Sequence, residues 1–290
     1  MRVGYLGPPG TFSHEALTAL PDAGDWRLEA TRSIHAAVLA VQAGEVDRAL
    51  VPIENSLEGS INATLDALAI EAHDVEIAGE LLHPVHHCLV AASVDVPLER
   101  IRVVGSHPQG IAQCAEFLRR ELSHAAVRPA ASTADAVRMV AERRGEAAEE
   151  VWAAIGSRDA AERYGGQILR ANIEDVPGNE TRFAWLAPAG SEAVVLQPVE
   201  GAGYKTAIVW WGAGSGSPGW LVRCLSEFAF RGVNLTRIES RPRRDAGLGE
   251  YRFFADLEGQ ASTAPLKAAI DGLRAHAETV RVLGSFPAAS

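Results

Sequence analysis

Cysteine is scarce in this chain. Only three occur, Cys88, Cys114 and Cys224, an odd number placed far apart. None has the spacing of a zinc site or a Cys-x-x-Cys redox motif, so a disulfide scaffold is excluded and reduced thiols of a cytoplasmic protein are expected. Long basic runs are missing too, and the formal charge is −10 at pH 7. Nucleic acid and anionic membranes are therefore poor partners. No apolar run approaches the length of a membrane span. The opening Met1-Arg2-Val3-Gly4-Tyr5-Leu6 reaches Gly7-Pro8 too soon to supply the apolar core of a signal peptide. The first Gly-rich turn lacks the Gly-Lys-Ser/Thr ending of a Walker A loop. Metal ligands are sparse as well. His83, His86 and His87 cluster, but His86 and His87 are adjacent and point to opposite faces of a strand, with no carboxylates grouped around them. No metal and no cofactor are expected.

What is present is an α/β pattern. The apolar fraction of 47% supports sizeable cores, and a chain of 290 residues predicts two or three compact units. Strands are expected at residues 3–6, 26–30, 48–53, 75–90 (interrupted by Pro84), 102–105, 126–130 and 151–155, alternating with amphipathic helices. At four strand-to-helix junctions polar groups collect: Thr11 and Ser13, Asn55 and Ser56, Ser106 with His107 and Gln109, and Ser132 with Thr133. Each is either a helix cap or, if the junctions converge, part of a cleft for a small dicarboxylate. The segment Asn179-Glu180-Thr181-Arg182-Phe183 follows the Pro177-Gly178 turn and precedes the apolar Ala184-Trp185-Leu186-Ala187. It reads as a loop delivering a hydroxyl, a guanidinium and an aromatic ring into a strand.

Composition changes beyond Pro188, through a linker-like stretch at 189–203. Strands at 205–211, 233–241, 251–257 and 280–283, with helices at 218–230 and 263–276, then give the order βαββαβ, a ferredoxin-like unit. Inside it, Gly214-Ser215-Gly216-Ser217-Pro218-Gly219 imitates a dinucleotide fingerprint, with Glu239 twenty residues beyond Gly219. Only about 80 residues remain there, too few for a doubled nucleotide fold, so this is read as a decoy.

Taken in order, Gly7-Pro8-Pro9-Gly10-Thr11-Phe12-Ser13, Glu54-Asn55-Ser56, Ser106-His107-Pro108-Gln109, Ser132-Thr133-Ala134 and Asn179-Glu180-Thr181-Arg182-Phe183 resemble the prephenate dehydratases. The segment from Gly232 to Pro242 resembles their regulatory ACT domain. The resemblance covers nearly the whole chain. It implies a catalytic domain at 1–188 made of two α/β lobes, similar to type II periplasmic binding proteins, with the site between them. A linker at 189–203 and an ACT domain at 204–290 follow. The implied reaction converts prephenate to phenylpyruvate, water and carbon dioxide in phenylalanine synthesis.

By the same resemblance Thr181 is the essential residue. Thr11, Phe12, Ser13, Asn55, Ser56, His107, Gln109, Ser132, Thr133, Asn179, Arg182 and Phe183 are the substrate-site residues. Arg182 either meets a substrate carboxylate or anchors its loop, and Phe183 packs beneath. The implied effector is an aromatic amino acid, foremost L-phenylalanine, held by Gly219, Trp220, Leu221, Val222, Asn234, Glu239, Ser240, Arg241 and Pro242. Trp220 stands where the family has a small alanine, so a reshaped pocket is expected unless the ring turns away. A homodimer or homotetramer is implied. The rival readings are a prephenate decarboxylase, an arogenate dehydratase and a non-catalytic bilobed sensor.

Overall fold

The structure, a computed structural model, describes residues 1–143, 150–194, 196, 201–212, 214, 216–243, 246 and 249–289. Parts of the charged run 141–150, of the linker 189–203 and of the turn through Asp245-Ala246-Gly247 lie outside the described residues, as does Ser215 of the glycine-rich loop. In chain order the elements are β1 (Arg2–Leu6), α1 (Phe12–Thr18), β2 (Arg27–Thr31), α2 (Ile34–Gln42), β3 (Arg48–Asn55), β4 (Gly59–Ser60), α3 (Asn62–Ile70), β5 (Val75–Pro84), β6 (Cys88–Ala91), β7 (Ile101–Ser106), α4 (Pro108–Gln113), α5 (Ala115–Glu121), β8 (Ala126–Pro129), α6 (Thr133–Glu142), β9 (Val151–Gly156), α7 (Arg158–Tyr164), β10 (Gln167–Arg170), β11 (Glu180–Pro188), β12 (Tyr204–Trp211), α8 (Trp220–Ala229), β13 (Leu235–Pro242), β14 (Tyr251–Glu258), α9 (Ala264–Arg274) and β15 (Thr279–Pro287).

The chain divides into two compact units. The first holds Met1–Ala37, Glu54–Gly59 and His83–Thr181; the second holds Val38–Ile53, Ser60–Leu82 and Arg182–Ser290. In the first, β1 and β2 pair in parallel from Arg2↔Arg27 to Leu6↔Thr31. A five-stranded sheet has the order β10-β6-β9-β7-β8. Its β7 runs parallel to β8 and β9, while β6 is antiparallel to β9. Side chains alternate across a strand, and both faces here are apolar. Leu89, Val104 and Ile155 pack with Cys114, Phe117 and Leu118 of the α4–α5 side. Cys88, Val90 and Ala154 pack with Val137, Ala160 and Ala161 of α6 and α7. A sheet covered by helices on both faces is the α/β solution to burying two apolar faces.

In the second unit β11 lies between β3 and β5. Its other sheet is antiparallel, order β13-β14-β12-β15, built by the chain order βαββαβ. Trp220, Cys224 and Phe228 of α8 and Leu266, Ile270 and Leu273 of α9 close one face over Ile208, Trp210 and Leu257. The mixed α/β class with a ferredoxin-like unit is as the sequence predicts. The decoy is resolved as well: β14 lies between β12 and β13 and pairs antiparallel with both, a split βαβ unit rather than the adjacent parallel strands of a nucleotide fold, and Gly219 is the left-handed N-cap of α8 at φ 75°.

Two local expectations are corrected. The strand ending at Pro84 does not resume until Cys88, so 75–90 is two strands in different sheets. Thr181 is not on a loop: β11 begins at Glu180 and Thr181 is its second residue. The four-residue β10 is absent from the sequence reading; it is too short to show a period, and only its antiparallel pairing with β6 defines it.

Candidate active site

The centre of the first unit's polar cluster is Asn55, which is 6% exposed at the end of β3. Its Oδ1 accepts the backbone N–H groups of Leu57 at 3.0 Å and Glu58 at 3.1 Å, an Asx turn. Backbone donors cannot be exchanged, so the amide cannot flip and its Nδ2 must face the other way. There its two hydrogens are shared among Asn179 Oδ1 at 2.8 Å, the Glu180 carbonyl at 3.1 Å and Thr181 Oγ1 at 3.1 Å. Ser56 ties the same strands together: its hydroxyl donates to Asn179 Oδ1 at 3.3 Å and accepts Glu180 N–H at 3.0 Å. Thr181 therefore receives a hydrogen bond, and its own hydroxyl hydrogen is left to give. That polarity is what an acid-like role toward a leaving group requires.

A second line of amides continues from Asn179, which is buried. Its Nδ2 donates to Gln113 Oε1 at 3.2 Å, and Gln113 Nε2 donates to Glu58 Oε1 at 3.3 Å. His87 Nε2 lies 2.8 Å from the same Gln113 Oε1. Gln113, Glu58 and His87 are absent from the sequence-derived site. The available signal was spacing: Gln113 follows Gln109 by one helical turn and shares its face of α4. His87 is 2% exposed, and the Phe12 ring meets it edge-on at 5.5 Å. Burial lowers its pKa, with Gln113 and Glu174 pulling the other way. Glu174 also receives His87 N–H at 2.9 Å and pairs with His86 at 2.8 Å. Its carboxyl is held low: burial works against ionisation, and the His86 and backbone hydrogen bonds outweigh it.

The remaining predicted residues sort by what they touch. Thr11 caps α1, accepting His14 N–H at 3.4 Å and donating to the Leu6 carbonyl at 2.8 Å. Ser132 caps α6, its hydroxyl accepting Asp135 N–H at 2.9 Å and donating to the Asp135 carboxylate at 2.9 Å. His107 caps α4 through Gln109 N–H at 3.3 Å. Ser13 is buried, while Gln109 is exposed. Gly110 allows α4 to approach closely: a Cβ there would stand 2.9 Å from Ser106 Oγ, 3.3 Å from Thr133 Cγ2 and 3.6 Å from His87 Cε1. Thr133, the start of α4 and His87 thus share one neighbourhood. Among the described residues, no group of three or more His, Cys, Asp or Glu side chains is arranged to hold a metal ion.

Arg182 begins the last segment of the second unit and is engaged within that unit. It donates to Glu80 Oε2 at 3.0 Å and to Asp256 Oδ2 at 2.6 Å. Lys205 reaches Glu80 at 2.7 Å, and Arg237 Nε reaches Asp256 at 2.9 Å. The two carboxylates are almost fully buried, so each cation is needed by an anion. Phe183 is buried behind.

Of the predicted effector residues, Gly219, Trp220, Leu221 and Val222 line a cavity of about 250 Å³ with Tyr251 and Phe253. Trp220 is turned into the core, 4% exposed, and its Nε1 donates to the His276 carbonyl at 2.7 Å. Asn234 instead donates to Glu258 at 2.9 Å. Glu239 accepts from Ser60 at 2.9 Å, and Arg241 pairs with Asp66 at 2.8 Å. The alternation of β13 separates Glu239 and Arg241 from the exposed Ser240 and Pro242.

Comparison with known proteins bears on this geometry. Residues 3–191 match the family Prephenate dehydratase. The prephenate dehydratase of Amycolatopsis methanolica is 39% identical over 285 residues, covering 98% of this chain and 88% of that protein. The crystal structure of an Arthrobacter aurescens prephenate dehydratase in complex with L-Phe is 35% identical, covers 100% of this chain and 92% of that one, and superposes with a TM-score of 0.85. The structure of GqqA, described as a novel type of quorum quenching acylases, is 30% identical, covers 100% and 98%, and gives 0.81. With the family matched over well over half its length and a named relative aligned nearly end to end, the chain belongs to the prephenate dehydratase family.

Proposed function

We propose that this protein catalyses the decarboxylating dehydration of prephenate to phenylpyruvate, with Thr181 as donor to the departing hydroxyl. The ring carboxylate leaves as carbon dioxide, and its electron pair enters the ring. The C–O bond at the opposite carbon breaks with Thr181 hydrogen-bonded to the departing oxygen, which takes a proton from solvent to leave as water. Aromatisation drives the reaction, so the protein must orient a dianion and stabilise negative charge growing on the leaving oxygen. The observation that carries this role is the locked Asn55 amide, which donates to Thr181 Oγ1 and leaves the threonine hydrogen to be given elsewhere. A single preorganised donor of this kind contributes about 10²–10³ in turnover. An amide accepts no proton, so the same contact favours hydrogen-bond donation over use of Thr181 as an acyl-transfer nucleophile, which needs an adjacent base.

The substrate carboxylates meet Thr133 and Gln109, near the start of α6 and α4. Arg182 acts as an anchor, since Glu80 and Asp256 already claim its guanidinium. The cavity beside Trp220 takes an aromatic amino-acid effector, L-phenylalanine first, as the ligand of the A. aurescens relative suggests. The catalytic part spans 1–188 and the regulatory ACT part 204–290, in a cytoplasmic homodimer or homotetramer. No helix among the described residues is long and apolar enough to cross a membrane. Chromatographic product analysis with prephenate and arogenate tests the reading. Phenylpyruvate from prephenate is the expected outcome. Phenylalanine from arogenate alone, a decarboxylated product that keeps its hydroxyl, or no turnover would each replace it.

A further inference from the structure

The direction of the amide chain extends beyond Thr181. Leu57 and Glu58 N–H groups fix Asn55 Oδ1. Asn55 Nδ2 then fixes Asn179 Oδ1, and Asn179 Nδ2 faces Gln113. Gln113 must present Oε1 on that side, and its Nε2 goes to the Glu58 carboxylate. His87 Nε2 stands 2.8 Å from that same Oε1, so it must carry the hydrogen. The tautomer of a histidine is thus dictated from a backbone turn several side chains away. The other ring nitrogen, Nδ1, is a buried lone pair without a hydrogen-bond partner. Protonation would place an N–H where nothing accepts it.

Resting on the dehydratase reading above, we propose that His87 is a positioning residue for the reaction: as the neutral Nε2–H tautomer it holds the Gln113 carbonyl toward Asn179, and so keeps Asn179 seated against the fixed Asn55 amide that also meets Thr181. A residue that reverses Gln113 sets two N–H groups against each other at Asn179. Asn55 cannot turn to relieve this, because the backbone holds it. Glu174, which bonds the His87 backbone, and its partner His86 are the ionisable groups beside the ring. Glu58 lies beyond Gln113.

The test compares His87→Met and His87→Gln with the parent, using prephenate between pH 5.5 and 9. A glutamine amide reaches about where Nε2 sits, whereas methionine fills the space without a donor. His87→Met is expected to lose about 10- to 100-fold in kcat, with KM within about threefold, the scale of a small misplacement of a catalytic group. His87→Gln is expected to recover to within about fivefold of the parent. The parent's pH profile should have no acidic limb that His87→Gln lacks. In the parent itself, ¹⁵N histidine NMR should find His87 neutral with Nε2 protonated throughout, a readout independent of how the variants fold. A His87→Met enzyme within threefold of the parent would overturn the proposal, as would an Nδ1–H tautomer or an acidic limb that vanishes in His87→Gln. A parent inactive on prephenate would instead remove the dehydratase reading on which the proposal rests.

Discussion

At the residue scale the account depends on which way an amide points. Asn55 holds Thr181 as an acceptor of one hydrogen bond and so releases it to donate another. Asn55→Asp keeps the shape but presents an acceptor. The aspartate oxygen then captures the Thr181 hydrogen and also faces Asn179 Oδ1. Turnover should fall by about 10² or more, the scale of losing a preorganised donor, with secondary structure intact by circular dichroism. Activity within threefold of the parent would show that the polarity of this contact is not used. Only part of this was legible in the sequence. Asn55, Ser56, Asn179 and Thr181 could be named because they lie in contiguous motifs. Glu58 and His87 could not, because their roles come from three chain segments meeting, which no local pattern records; for Gln113 the helical spacing from Gln109 was the one local signal. The polarity of the chain became visible only with the backbone turn at Leu57 and Glu58.

At the scale of elements the regular pattern was readable and the exceptions have causes. Strand and helix periods located the main elements of both units, since each buries an apolar face. Pro84 marked an interruption, but the division of 75–90 between two sheets and the start of β11 at Glu180 were not readable, because ladder bonds rather than side-chain patterns set them: Val85 N–H donates to the Asn179 carbonyl and Ser56 N–H to that of Glu180. The same limit hid the setting of Arg182. Its partners Glu80 and Asp256 come from β5 and β14, remote in sequence. Burial alone would raise the Asp256 carboxyl, but Arg182 and Arg237 more than offset it and hold it below the ordinary aspartate value. A depressed carboxyl stabilises the fold fully above its unfolded value, about 3.9, and loses that contribution as pH falls through the folded value. Asp256→Asn should therefore lower Tm markedly at pH 7, in line with the roughly 3–5 kcal/mol cost of breaking a buried pair. Below about pH 4 the gap between variant and parent should narrow. Equal melting temperatures at pH 7 would show that the pair adds nothing.

At the scale of the whole molecule two expectations concern what binds. Turnover should survive exhaustive chelation and dialysis, because the reaction aromatises its own product and the polar groups on Thr181 are neutral donors and acceptors. Loss of rate with EDTA, restored by a divalent ion, would reopen His83, His86 and His87. The cavity proposed for the effector is lined by Trp220, whose indole is committed to the core by Phe253 at 5.7 Å and the His276 carbonyl. Truncation to alanine would cost about 3–5 kcal/mol, so Trp220→Phe is the better probe. Calorimetric titration should find tighter phenylalanine binding to that variant than to the parent. Equal affinity would mean that the indole does not limit the pocket, and no binding to either would remove the effector site.

The central claim, that the Thr181 hydroxyl drives departure of the leaving oxygen, is tested most directly by the rate of phenylpyruvate formation from prephenate. It should be measured for the parent, Thr181→Ser and Thr181→Val at one pH with folding checked by thermal melt. The account predicts that valine, which keeps the shape and removes the hydroxyl, lowers turnover by roughly 10²–10⁴, and that serine restores most of it. Turnover of the valine variant within threefold of the parent would contradict it.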